Sequence, residues 1–518
     1  MYEYNLGLRF ESVAAANADR PALWIDSGRR VSYRELRAAA RGAAGVLRDH
    51  GVEEGHVVCI SGTKGLSAYA AILGCLNIGA VYAVLDPHGP PERLRKILDT
   101  CRPQAVVGED PVLEAVREVT DAGSRPAQIR SDESGEWPGR ESGARDLALP
   151  AITGAHPAYI MFTSGSTGTP KGAVMSHANV LNLIAWAQAT YGITPDDVVA
   201  NLNPLYFDNS VFDLYSALFS GACLVPFSRE ETRDPLALVR KVDASLCTQW
   251  FSVPSLLIFL QTMKATDGRY LRSVRRFIFG GEGYPKPMLK RLFDVYSGGA
   301  AFHNVYGPTE CTCICSSYRV TARDFENMEG LPPLGRIADN FAYVILDEEE
   351  RAVRPGEAGE LCLLGPNVGL GYYGDPARTS ESFVQNPLNT RFREIIYRTG
   401  DLVHWDAADD KLYIHGRRDN QVKHMGYRIE LEEIEAGLHR LPYVAEAVAL
   451  HGIVQGRSRI SAVVALREPV DDARLRSDLA RLLPDYMTPS VIHREDSLPK
   501  NANGKVDRRM LREKYASA

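Results

Sequence analysis

The chain has 518 residues, more than one hydrophobic core can serve, so roughly two to four domains or subdomains are expected. Hydrophobic residues make up 45% and charged residues 24%, an ordinary globular balance, and 59 Lys and Arg against 65 Asp and Glu leave a net charge of −6. That excludes the basic excess of a nucleic-acid binder and gives no sign of a protein held to an anionic membrane surface.

The start, MYEYNLGLRFES, lacks a basic segment followed by an apolar run, so no signal peptide is expected. The nine cysteines sit in apolar contexts such as VVCI and GELCLL and read as reduced thiols of a cytoplasmic protein. Strand-like VVCI, helical AYAAILGCL, strand-like AVYAVL, helical PERLRKIL and strand-like QAVV follow one another. This alternation predicts an α/β fold. Residues 68–85 have the length of a membrane span, but Asn77 and Gly79 divide them into a buried helix and a buried strand that ends at Asp86-Pro87. No membrane association is expected. Residues 129–150, polar and punctuated by Gly and Pro, read as a surface linker. After about residue 415 charged and aliphatic residues mix in RIELEEIEAGLHRL, then VAEAVAL and ISAVVAL follow, which suits a second domain of about 100 residues.

Between apolar 159–162 and apolar 173–175 lies TSGSTGTPKG, and Ser176 is placed to cap a helix over HANVLNLIAWAQ. The loop should therefore join two strands. Its glycines let backbone N–H groups converge, and its hydroxyls and lysine add donors, a set suited to phosphate oxygens. The P-loop pattern needs its lysine beside the second glycine, whereas here Lys171 follows Thr169-Pro170.

STGTPKG after an apolar strand resembles the phosphate loop of the adenylate-forming superfamily: acyl-CoA synthetases, luciferases and the adenylation domains of nonribosomal peptide synthetases. The resemblance extends in order through VSYRELRAAA (31–40), AAILGCLNIGAVYAVLDP (70–87), NVYGPTE (304–310), GELCLLGPNVGLGYYG (359–374), YRTGDL (397–402), GRRDNQVKHMGYRIELEEIE (416–435) and PKNANGKVDRRML (499–511), nearly the whole chain. It implies a large N-terminal domain of β-sheets with helices, residues 1–417, and a small mobile α+β C-terminal domain, residues 418–518, with the hinge at Asp419.

The resemblance also implies roles. Thr163, Ser164, Gly165, Ser166, Thr167, Gly168 and Lys171 would hold the β and γ phosphates of ATP. Tyr306 would stack on adenine, Asp401 would bind the ribose hydroxyls, and Arg417 would contact ribose or phosphate. Gly281, Glu282, Asn304, Gly307 and Thr309 join the nucleotide set, with Glu310 as the Mg²⁺ carboxylate. Lys505 would be the catalytic lysine that bridges substrate carboxylate and α-phosphate, with Glu310, Thr163 and Lys171 as the other catalytic groups. The implied chemistry is attack of a carboxylate on the α-phosphorus of ATP. Fixed cations and Mg²⁺ serve that reaction better than proton transfer.

The stretch YFDNSVFDLY resembles the amino-acid-activating branch, where an aspartate matching Asp208 binds the α-ammonium; fatty- and aryl-acid members usually lack it. The matching pocket is Asn209, Phe212, Phe251, Ile278, Gly280, Val305, Cys313 and Ile314, mostly apolar and uncharged, which points to a neutral, small to medium amino acid. Two departures are present: Phe212 and Asp213 stand where the common pattern has Trp and Glu, and SVFDLY is also similar to D-alanine–carrier protein ligases. D-Alanine, proline-like and β-amino acids stay open, as does an acyl- or aryl-CoA ligase. A non-catalytic binding protein is disfavoured by the presence of Lys171, Glu310, Asp401 and Lys505. Cys311, Cys313 and Cys315 alternate as on a strand, without a fourth ligand at useful spacing, and read as packing rather than metal. No Gly-Gly-x-Ser carrier site follows before KYASA, so the expectation is a free-standing monomer that passes the aminoacyl group to the phosphopantetheine thiol of a separate carrier protein, with CoA the weaker candidate.

Overall fold

The computed structural model describes residues 4–25, 28–123, 125–131, 137, 152–165, 168–454, 457–500 and 506–515. Two sheets with helices form most of the large N-terminal domain. One runs Gly371–Tyr372, Lys171–Ser176, Pro157–Thr163, Val81–Leu85, Val57–Ser61, Ala105–Gly108, Ala127–Arg130 across its width. The other runs Ser316–Val320, Ala301–Tyr306, Arg276–Gly280, Gln249–Ser252, Val198–Asn201, Cys223–Pro226, Pro21–Trp24, Arg30–Ser32. Interior neighbours are parallel, joined by helical crossovers, and antiparallel pairs sit toward the ends, at 157–163 with 171–176 and at 301–306 with 316–320. This is the α/β alternation read from the sequence.

The helix Leu66–Ile78 is buried along its whole length, and Gly79 closes it at φ 75° before the strand Val81–Leu85. An all-round apolar helix needs packing on every side. It belongs to a core that also takes Val58 and Tyr159 from one sheet and Leu224 and Ile278 from the other. Among the described residues no helix is long and apolar enough to cross a membrane. The expected linker at 129–150 needs correction at its start. Ile129, with 2% of its surface exposed, and Arg130 finish the strand Ala127–Arg130, because Ile129 pairs with Val107 and fills the core. Apart from Ser131 and Trp137, the rest of that stretch lies outside the described residues.

A third sheet, built on the long strand Ile395–Asp406, carries Lys411–Arg417 as a hairpin partner and leads into the small C-terminal α+β domain. That domain has its own core: Leu431, Ile434 and Leu438 of the helix Leu431–His439 lie against Val444, Ala449 and Ile460 of the strands Val444–Val454 and Arg457–Leu466. The hairpin Gln421–His424 with Tyr427–Glu430 projects from it into the large domain.

Candidate active site

The loop expected between two strands is there. Strands Pro157–Thr163 and Lys171–Ser176 pair antiparallel with Thr163 opposite Lys171, and Ser176 caps the next helix reciprocally with Asn179. The turn is tight: a Cβ on Gly165 would lie 2.1 Å from the Thr169 carbonyl oxygen, so only glycine passes. The Thr163 hydroxyl is buried without a hydrogen-bond partner and faces a cavity, an open donor of the kind a phosphate oxygen takes up. Ser166 and Thr167 lie outside the described residues, as does Lys505.

The cavity gathers residues from distant parts of the chain. Of the nucleotide set it is lined by Thr163, Ser164, Gly281, Tyr306, Gly307, Thr309, Asp401 and Arg417, and Asp208 and Asn209 join them. Asn304 and Glu282 are held elsewhere. Asn304 donates to the Pro333 carbonyl at 2.9 Å. Glu282 accepts from the Ser255 N–H at 2.6 Å and the Gly426 N–H at 3.1 Å, tying the small domain's hairpin to a helix start. Lys171 and Gly168 also stand back from the cavity wall, and Lys171 meets Glu430 at 3.2 Å.

Glu310 is fully buried, accepts from the Arg428 guanidinium at 2.6 Å and from the Tyr372 hydroxyl at 2.8 Å. Burial pushes its carboxyl up, but the positive charges of Arg428 and Lys171 outweigh that and hold it at about 2. An ionised, buried carboxylate fits Mg²⁺, which takes one or two protein carboxylates and completes its shell with phosphate and water oxygens. Asp401 accepts from the Tyr306 hydroxyl at 2.5 Å and from Arg417 at 2.8 Å, and Arg417 also grips Asp419 through two hydrogen bonds of 2.7 and 2.8 Å. The residue expected at the hinge is thus linked through one guanidinium to the residue expected at the ribose. The Lys423 ammonium lies 5.3 Å from the centre of the Tyr306 ring, the ring expected to stack on adenine, and burial lowers its pKa despite Asp401 nearby.

Sequence reading missed Arg93, Phe207, Lys423, Arg428 and Tyr486, all of which line the cavity. Lys423 and Arg428 stand inside the stretch 416–435, whose match to the family's domain junction was the available signal; Arg93, on the amphipathic helix Pro91–Cys101, gave none. The residues flanking Lys505 lie away from the cavity: Lys500 pairs with Glu446, and Val506 packs against Val448 and Leu498.

The residues expected around the amino acid come from three parallel strands, one helix and the turn that holds Cys313 and Ile314, and of them Asn209 lines the cavity while the others are packed away from it. Phe251 is opposite Ile278, Gly280 is opposite Val305, and the Phe212 ring meets the Phe251 ring edge-on at 5.2 Å. A Cβ on Gly280 would lie 2.3 Å from the Val305 carbonyl oxygen, so the strands approach closely only at glycine. Cys313 Sγ lies 4.0 Å from Asn209 Oδ1, and Ile314 is 1% exposed. Asp208, at the start of the helix Asn209–Leu218, accepts from the Thr309 hydroxyl at 2.6 Å; desolvation raises its pKa, and no ion pair reaches it among the described residues. Asp213, at the second departure from the common pattern, does not join the wall. It is buried on a polar cluster, accepting from Asn201 at 3.1 Å and Asn203 at 3.0 Å, with Lys64 on the Asn201 carbonyl at 2.6 Å. The three alternating cysteines are not on a strand. Cys311 ends a 3-10 turn, Thr312 and Cys313 have φ of 61° and 72°, and the strand starts only at Ser316, because the chain must turn beneath the cavity after Thr309.

The family described as AMP-binding enzyme matches residues 10–373, and the AMP-binding enzyme C-terminal domain matches 433–505. An L-proline–[L-prolyl-carrier protein] ligase of Streptomyces coelicolor is 34% identical over 514 residues, 96% of this chain and 94% of the relative. A dimodular nonribosomal peptide synthase of Bacillus subtilis is 32% identical over 503 residues, 97% of this chain but only 20% of that protein. The solved structure of holo-PA1221, a nonribosomal peptide synthetase protein containing adenylation and PCP domains bound to a vinylsulfonamide inhibitor, is 25% identical with a TM-score of 0.82 over 99% of this chain and 84% of that one. A family match that spans residues 10–373 and a relative 34% identical over 96% of the chain leave one assignment: the chain belongs to the AMP-binding enzyme family.

Proposed function

We propose that the protein activates a neutral, small to medium amino acid as its aminoacyl-adenylate at the cost of ATP, releases pyrophosphate, and passes the aminoacyl group to the phosphopantetheine thiol of a carrier protein. The observation that carries this reading is Asp208. It is a desolvated carboxylate on the cavity wall, bonded to the Thr309 hydroxyl and, among the described residues, to no cation, at the start of the helix that carries Phe212 of the uncharged pocket set. An α-ammonium supplies the missing positive partner, and an acid without one leaves the carboxylate unpaired.

Thr163, Ser164, Gly165 and Lys171 hold the β and γ phosphates, joined by Ser166, Thr167 and Gly168. Tyr306 takes the adenine and Asp401 the ribose, with Arg417 beside it. Glu310 would hold Mg²⁺, which would neutralise charge on the phosphates. The protein's own part is to bring two anions together, so fixed donors and cations carry the catalysis. Lys505 approaches the substrate carboxylate and α-phosphate when the small domain turns about Asp419, and we place the domain boundary between Arg417 and Arg418. In the arrangement described here the cavity is faced by Gln421, Lys423, Gly426 and Arg428 of the small domain. The protein acts as a cytoplasmic monomer on this reading.

The test is amino-acid-dependent exchange of labelled pyrophosphate into ATP across L-, D- and β-amino acids, proline, and fatty and aryl acids. Exchange with one neutral amino acid, lost in Asp208→Ala, is the expected result. Exchange only with acids lacking an amino group overturns the reading in favour of a CoA ligase.

A further inference from the structure

The residues expected around the amino acid close on one another. The Phe212 and Phe251 rings meet edge-on at 5.2 Å, and Tyr191 backs Phe212 edge-on at 5.6 Å, its hydroxyl donating to Ser317 at 3.0 Å. Both phenylalanines are buried, and the cavity beside Asp208 reaches Asn209 but stops short of either ring. Behind the rings lies a group the mechanism does not use. Asp213, next to Phe212 on the helix Asn209–Leu218, is fully buried and accepts from the Asn203 amide at 3.0 Å. The same amide donates to the Phe251 carbonyl at 3.1 Å. One carboxylate thus ties the helix that carries Phe212 to the strand that carries Phe251. Its other oxygen has no hydrogen-bond partner among the described residues, and burial raises its pKa despite the amides of Asn203 and Asn201 and the charge of Lys64.

A buried carboxylate with an open oxygen costs stability that a well-packed apolar residue in its place would not. What this one secures is a geometry: the contact between two rings. Close-packed rings admit an added methylene only by leaving their rotamers or shifting backbone, and Asp213 and Asn203 resist that shift from behind. We propose that Phe212 and Phe251 close off the side-chain pocket, that Asp213 and Asn203 are the positioning residues that hold it shut, and that the amino acid activated carries a side chain no larger than a methyl group. The proposal rests on the adenylating reading above and narrows its substrate to glycine, alanine or a β-amino acid of the same bulk. With the ammonium on Asp208, a hydrogen or a methyl group finds room beside Asn209. A longer side chain has to enter the space that the rings fill.

The experiment measures, by calorimetry on the full chain, the Kd of sulfamoyl-adenosine mimics of the adenylates of glycine, alanine, 2-aminobutyrate, leucine and phenylalanine. The glycyl or alanyl mimic should bind best, with a loss of about tenfold for the first methylene added. Phe251→Ala should tighten the leucyl and phenylalanyl mimics about a hundredfold relative to the alanyl one, because the space the ring leaves takes their side chains. Phe251→Leu keeps more of the packing, guards against misfolding, and should do the same by about tenfold. Asp213→Glu should push the turn that carries Phe212 away from Asn203 and raise the 2-aminobutyryl-to-alanyl affinity ratio about tenfold, with the Kd for ATP close to the parent value. A role in the fold alone would weaken every mimic together and leave that ratio unchanged, which overturns the positioning role. Leucyl or phenylalanyl mimics that bind the parent protein as tightly as the alanyl one, or no binding of any mimic, overturn the closed pocket. Pyrophosphate exchange with leucine or phenylalanine, lost in Asp208→Ala, keeps the adenylating reading and sinks this proposal alone. Exchange only with acids lacking an amino group sinks that reading instead.

Discussion

The two sides of the cavity are held by different forces. On the side proposed for phosphate, two ion pairs join the domains, Glu310 with Arg428 and Lys171 with Glu430, and a third, Asp401 with Arg417, lies within the large domain. The residues proposed for the amino-acid pocket, Phe212, Phe251, Ile278, Val305, Cys313 and Ile314, are uncharged, at most 4% exposed, and all come from the large domain. Ionic partners can be exchanged for ligand oxygens or a metal ion provided no charge is left bare. A close-packed wall changes only by repacking, and its shape persists through the cycle. The first side is therefore suited to turnover and the second to selection.

The sharpest way to break this contrast is Lys505→Ala. It should lower amino-acid-dependent pyrophosphate exchange by about 100- to 1000-fold, while thioester formation from a supplied aminoacyl-adenylate stays close to the parent rate. Equal loss in both half-reactions would remove the division of labour between the two faces of the small domain.

Asp208 stands where the two sides meet. Asp208→Asn should reduce kcat/KM for the amino acid by about a hundredfold, the loss expected when one partner of a buried charge pair is removed. The deaminated acid should lose much less. Similar losses for both would show that Asp208 maintains the fold and does not read the ammonium.

Within the wall, Ile278→Val should cost about 1 kcal/mol in a denaturant titration. It should also shift the kcat/KM ratio about tenfold toward a substrate one methylene longer. A stability loss with an unchanged ratio would take Ile278 out of the substrate's reach.

The smallest effect tests the charged side by pH. Burial raises the Glu310 carboxyl, but Arg428 and Lys171 bring it down to about 2, below its unfolded value of about 4.3. The sign follows: its contribution to stability is fully present above pH ~4.3 and is lost as pH falls toward about 2. The stability difference between the parent protein and Glu310→Gln, measured by denaturant titration, should be flat at neutral pH and shrink through that acid window. A difference that persists to the acid end would mean that packing, not charge, explains the site.

Much of the scaffold was legible. Apolar runs with helical and strand periods located the elements around 57–107, and Ser176 marked its helix start, because those signals are local. Tyr306, Thr309, Asp208 and Asp401 were marked by motifs and do converge on one cavity. The misreadings were local patterns overruled by distant contacts. Alternating cysteines looked like a strand, but the chain turns there to place Thr309 beside Asp208; polar flanking residues hid the fact that Ile129 pairs into a sheet.

By itself the sequence determined the fold class, the loop between strands 157–163 and 171–176 and the chemistry its residues can support, since these follow from residue type, spacing and short-range periodicity. Which charges meet was decided only in three dimensions. Lys171 and Glu430 are 259 residues apart, and Glu310 and Arg428 are 118 apart. No periodicity spans such distances, and an ion pair has no sequence signature until packing excludes water and brings its partners together.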